Sequence, residues 1–143
     1  MKCESDIMRF LIIYIIVLSL ISNISKAETQ LWSKVIQGKN GYDFYVDIQT
    51  IQNYNNIIFF WQLINYKKKD EYGDMSAKIY IKGNCKSFKF KWLKVTYHKL
   101  LMAKDQVLAK KPSDMVAGWQ SAFPHSTSYA VIDYVCRNKG ILL

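Results

Sequence analysis

The chain has 143 residues, half of them hydrophobic, with 20 Lys and Arg against 11 Asp and Glu and a net charge of +9. That length fits one domain built around one core. The basic excess argues only weakly for nucleic acid, because 18 of the 20 basic residues are Lys and the bidentate fork that reads base edges belongs to Arg; no nucleic-acid partner is expected.

In chain order the first element is a leader. Met1 to Arg9 carries Lys2, Arg9 and the terminal amine, Phe10 to Ile21 is uncharged, and Ser22 to Ala27 places Ser25 and Ala27 at the −3 and −1 positions. This is the pattern of a cleavable signal peptide over residues 1–27. The alternative is an uncleaved anchor, but a membrane-spanning helix needs roughly 20 apolar residues and this run is shorter. No cysteine follows the apolar run to take a lipid; Cys3 precedes it and leaves with the leader. The expected product is a single domain, residues 28–143, secreted or periplasmic, alternatively associated with the cell surface. It keeps 17 basic and 9 acidic residues.

Leu31–Gln37 reads as a strand, Gly38–Gly41 as a glycine turn, and Tyr42–Asp47 as an alternating strand, so the three form a hairpin. Ile48–Asn56 reads as a loop. Ile57–Tyr66 is β-branched, aromatic and apolar on both faces, which places it centrally in a sheet. Lys67–Asp74 is an exposed turn. Met75–Lys82 alternates, with Ala77, Ile79 and Ile81 facing one way and Lys78, Tyr80 and Lys82 the other. Phe88, Phe90 and Trp92 are apolar at even positions, whereas Leu93, Val95 and Tyr97 continue at odd ones. That phase flip predicts a β-bulge near Trp92–Leu93, where one extra residue reverses every later side chain. Leu100–Lys111 fits either a helix or a loop followed by a short strand around Gln106–Ala109. Ser113–Pro124 reads as an irregular connection. Ser126–Asn138 reads as a helix, capped by Ser126, Thr127 or Ser128, with Val131/Val135 and Ile132/Cys136 as i,i+4 pairs on its apolar side; Arg137, Lys139 and Gly140 suit its end.

Two cysteines remain after the leader, Cys85 and Cys136. In an exported chain they are most simply a disulfide, the alternative being two buried free thiols. The bridge would close a loop of about 52 residues and contribute up to roughly 4 kcal/mol. The resulting fold class is α+β: an antiparallel sheet of about five to six strands with a C-terminal helix tethered to it by the disulfide.

No catalytic signature is present. His98 and His125 lack metal-ligand spacing, and no metal site is expected. Asp43 and Asp47, four apart on a strand, stand about 13 Å from each other, too far for a glycosidase carboxylate pair; Asp47 fits a turn residue bonding its own backbone. No nucleophile elbow, phosphate loop or dinucleotide fingerprint occurs. The expected function is therefore non-catalytic binding without a cofactor, to a protein or an anionic surface ligand. Lys78, Tyr80 and Lys82, sharing one strand face, are the candidate ligand-binding residues. The alternatives are a periplasmic carrier of a small ligand or haem using His98, and an enzyme with an unrecognised site.

Trp32, Tyr45-Val46-Asp47, Trp61-Gln62-Leu63 with Tyr66, Ser76-Ala77-Lys78, Cys85, Tyr97, Trp119 and Cys136, in this order, resemble the surface-adhesin protein E family of bacterial exported proteins over about Trp32–Asn138. The resemblance implies an antiparallel sheet with a disulfide-fastened C-terminal helix, in a surface or periplasmic protein whose namesake is an adhesin. The chain departs from that lipid-anchored namesake in having no cysteine after its apolar run.

Overall fold

The computed structural model describes residues 30–105, 107 and 110–138. The leader, the segment around Gln106–Ala109 apart from Val107, and Lys139 and Gly140 lie outside them. The described strands are β1 (Trp32–Gln37), β2 (Asp43–Asp47), β3 (Gln52–Tyr54), β4 (Ile57–Asn65), β5 (Ser76–Asn84), β6 (Lys89–His98) and β7 (Gln120–Ser121). The helices are α1 (Asp114–Ala117) and α2 (Thr127–Asn138). All strand pairs are antiparallel, in the order β1-β2-β4-β5-β6-β7, with β3 pairing β4 beyond the end of β2. The five long strands fall where the alternation puts them. The short β3 and β7 come from segments read as loop and connection, because their pairing is set by neighbouring strands rather than by their own residues.

The β1–β2 turn closes as its glycines require: Gly41 takes φ +80° and donates its N–H to the Gly38 carbonyl at 2.9 Å. At the far hairpin, Asn84 accepts from the amides of Lys86 (2.9 Å) and Ser87 (3.1 Å). The β5–β6 register passes from Tyr80 opposite Lys94 to Ile81 opposite Trp92. Leu93 is thus the extra residue of a bulge, where the phase flip predicts one.

The core lies between α2 and one face of the sheet. Val46, Ile58, Phe60, Ile79 and Ile81 are buried against Val131, Ile132 and Val135. Ser126 caps the helix, its Oγ accepting the Tyr129 amide at 3.0 Å. Cys136 is bonded to Cys85 across a sequence separation of 51, so the bridge ties the last turn of α2 to the β5–β6 hairpin. Phe88 of the same hairpin stacks on Tyr129 in the first turn of α2, ring centres 4.8 Å apart. Strand β5 runs past the expected Lys82 through Gly83 and Asn84. Gly83 is needed there, because a Cβ would stand 2.9 Å from Ile58 Cγ1 and 3.2 Å from Ile132 Cδ1. A glycine inside a strand marks such a close approach.

The opposite face is half covered. After β6 the chain turns back over its end through Leu101–Ala103, a kinked turn in which Met102 and Ala103 take positive φ, in place of the helix alternative. Ser76 Oγ donates to the Leu100 carbonyl (2.6 Å), Asn65 Oδ1 accepts the Met102 amide (2.9 Å), and the His98 ring meets the Asp105 carbonyl (2.9 Å). Leu63, Ser76, Thr96 and His98 are buried beneath this flap. Lys110 then pairs with Val95. Among the described residues no helix is long and apolar enough to cross a membrane.

Candidate functional site

Strand alternation places Lys78, Tyr80 and Lys82 together on the sheet face turned away from α2, beyond the flap. Side chains directly opposite across a ladder share a face. The register sets Leu63, Trp61 and Phe59 of β4 beside the three on one flank, and Thr96, Lys94 and Lys91 of β6 on the other. The result is a row of rings. Tyr54 meets Phe59 edge-on at 6.1 Å, Phe59 lies 6.3 Å from Tyr80, and Tyr80 lies 5.0 Å from Trp61.

The lysines lean over these rings. Lys78 Nζ is 4.5 Å from the Trp61 ring centre. Lys82 Nζ is 5.5 Å from Phe59 and 6.0 Å from Trp119, and Lys91 Nζ is 5.5 Å from Trp119. These are cation–π distances, and they fit the half-burial of Lys78, Lys82, Lys91, Phe59 and Trp61. Burial, with Tyr54 adding to it, raises the Tyr80 phenol above its ordinary pKa, so its hydroxyl stays a neutral donor. Among the described residues no carboxylate lies within ion-pair distance of Lys82 or Lys91. Ring edges beside the ammonium groups of Lys82 and Lys91 suit a ligand that combines apolar surface with negative charge.

Phe59, Trp61, Lys91 and Trp119 are members that the sequence does not assign to this face. Ile57–Tyr66 is apolar on both faces, so its alternation cannot say which rings look outward. Trp119 sits in an irregular connection and reaches this face only because β7 pairs with Lys89 and Phe90.

The other polar candidates are engaged structurally. His98 is 4% exposed, with Nδ1 2.9 Å from the Asp105 carbonyl and Nε2 2.7 Å from Thr96 Oγ1. Both ring nitrogens are occupied in a buried setting, so the geometry does not favour His98 as a haem ligand. Asp43 is paired with Lys34 at 2.8 Å, and that contact holds its carboxyl below the ordinary range. Asp47, 1% exposed, accepts the amides of Gln49 (3.2 Å) and Leu31 (3.3 Å) through Oδ1, the turn role its position suggests. Among the described residues no three His, Cys, Asp or Glu gather as metal ligands.

A larger groove, about 710 Å³, opens elsewhere, between Asp70, Tyr72, Asp74, Tyr97, Lys99 and Lys110. Of its two lysines, Lys99 is already engaged: its Nζ lies 2.7 Å from Asp74 Oδ1 and donates to the Tyr72 carbonyl at 2.6 Å. Lys82 and Lys91 instead lie over rings, with no acidic partner among the described residues, and this favours the β5 face as the candidate.

Comparison with known proteins bears on the same fold. Residues 32–137 match the family model of surface-adhesin protein E. No curated protein matches the chain. Among solved structures, crystal form II of Haemophilus influenzae protein E is similar at a TM-score of 0.57 and 18% identity, over 78% of this chain and 98% of that one. A second structure of Haemophilus influenzae protein E gives 0.56 and 19%, over 78% and 88%. At such identities the likeness is one of fold. With the family model spanning both cysteines, the ring-bearing strands and α2, the chain belongs to the surface-adhesin protein E family.

Proposed function

We infer that the chain is an exported, non-catalytic, adhesin-like binding protein that holds its ligand on the open sheet face. The observation that carries this reading is the interlocked surface of Lys78, Tyr80 and Lys82 with Trp61 and Phe59, on the side of the sheet that α2 leaves uncovered. The family supports a role at a cell surface, and the Lys-rich character of the face supports a protein or anionic surface as partner. Its ring and ammonium groups bind and orient. The leader pattern supports release to the periplasm or beyond, and sequencing the N-terminus of the exported protein should find Glu28 first; a retained Met1 would make it an anchored protein instead.

The test is binding to immobilised matrix proteins, acidic glycans and anionic vesicles by the native chain and by a Lys78→Ala/Tyr80→Ala/Lys82→Ala variant. Losing two ammonium groups and a ring should weaken binding at least about tenfold, each charged contact being worth roughly 1.5–3 kcal/mol. Unchanged affinity for every ligand the native chain binds would remove the site from this face.

A further inference from the structure

Lys82 and Lys91 stand directly opposite each other in the β5–β6 ladder. Like charges in that position repel, and neither ammonium has an acidic partner among the described residues. Both instead converge on Trp119, at 6.0 and 5.5 Å from its ring centre. Trp119 is 47% exposed. Next to it a groove of about 260 Å³ is lined by Asn84, Ser87, Lys89 and Trp119. Three ammonium groups, an amide, a hydroxyl and one open indole therefore meet at the hairpin end of the face.

We propose that this corner binds an acidic polysaccharide, with sulfate or carboxylate groups bridging Lys82 and Lys91 and a sugar ring lying against Trp119. The assignment rests on the open-face reading above and names its ligand class. Charge complementarity selects an anion, since an anion between the two lysines replaces their repulsion with two charge-assisted bonds. The lining selects a glycan among polyanions. Protein partners are anchored chiefly by apolar or aromatic side chains filling desolvated pockets, whereas this groove offers an amide, a hydroxyl and an ammonium, which are partners for sugar hydroxyls. Vesicle binding is favoured by several apolar side chains that insert beside the lysines, and the groove lining offers only the Trp119 indole among Asn84, Ser87 and Lys89.

The experiment measures, by titration of tryptophan fluorescence and by calorimetry, binding of the exported chain to heparin oligosaccharides, desulfated heparin, polyglutamate, single-stranded DNA and phosphatidylglycerol vesicles. Lys82→Ala/Lys91→Ala and Trp119→Ala should each weaken heparin binding about tenfold. Lys68→Ala/Lys69→Ala, which removes the same charge from the β4–β5 loop, should change it less than about twofold, because exposed charges beyond a Debye length of about 8–10 Å are largely screened. Lys82→Ala/Lys91→Ala should also raise Tm by about 1–4 °C, since it removes the opposed charges; a fall with loss of the folded circular dichroism would instead make the pair structural and overturn the proposal. Equal weakening by the two double variants would reduce the effect to net charge and overturn it. So would preference for polyglutamate, DNA or vesicles over heparin. If one of those ligands is lost on changing Lys78, Tyr80 and Lys82 while heparin does not bind, the open-face reading stands and the glycan assignment falls. If no ligand depends on any residue of the face, both fall.

Discussion

Gly83 shows how one missing side chain sets the distance between two layers. With any Cβ there, Ile58 and Ile132 would have to move apart by several tenths of an ångström, and both are fully buried. Gly83→Ala is therefore expected to destabilise by about 1–3 kcal/mol through overpacking, measured as a lowered urea midpoint at unchanged m. A stability equal to the native chain would show that the helix can slide to make room. In sequence Gly83 reads as the end of a strand, because nothing local reveals the helix above it. Asp105 acts through its own charge at the flap. Burial pushes its carboxyl up, but the amides of Lys99 and Leu100, its own amide and nearby His98 outweigh that and leave its pKa lowered. A lowered folded pKa means that the contribution is fully present above the unfolded value of about 3.9 and is lost as pH falls through the folded value. Exchange of the Lys99 and Leu100 amides should thus be as well protected at pH 5 as at pH 7 and rise as pH falls below about 3.9; an Asp105→Asn variant should lose that dependence.

At the scale of elements, α2 and its bridge are largely legible in the chain. The cap at Ser126, the apolar pairs Val131/Val135 and Ile132/Cys136 and the two cysteines all lie within short stretches. The same holds for the bulge at Leu93, whose signature is a change of parity within one strand. Reduction of Cys85–Cys136 is expected to lower unfolding stability by up to about 4 kcal/mol, through the loop it releases, with α2 the first element to lose hydrogen-exchange protection. Intact mass before and after reduction and alkylation checks the bridge itself; alkylation of both thiols without reduction would show them free. The flap is the opposite case. Met102 and Ala103 take φ +60° and +51°, a left-handed conformation that non-glycine residues rarely choose. They are held there by Asn65 and Ser76, more than 25 residues away in sequence. The helix alternative follows local propensity, and over Leu100–Asp105 those long-range bonds override it. Asn65→Ala should leave the sheet intact and loosen the flap, seen as faster exchange at Met102.

On the scale of the whole molecule, a single sheet has two faces of different character. One is closed by α2 into the core. The other is covered at one end by the flap and left as rings and lysines at the other. Binding on the second face should weaken with added salt, because its ammonium groups are only half-buried and are screened within a Debye length of about 8–10 Å. A salt-independent affinity would point instead to an apolar interface. The sequence by itself determined the strand order along the chain, the alternation that puts Lys78, Tyr80 and Lys82 side by side, the capped helix and the cysteine pair, because each depends on a period or a neighbour within a few residues. Tertiary structure alone decided which face stays open, that Phe59, Trp61, Lys91 and Trp119 join the three, and that His98 is enclosed. Those outcomes depend on strand register and on a flap fastened from distant positions, and pairing across a ladder leaves no periodic trace in either strand taken singly.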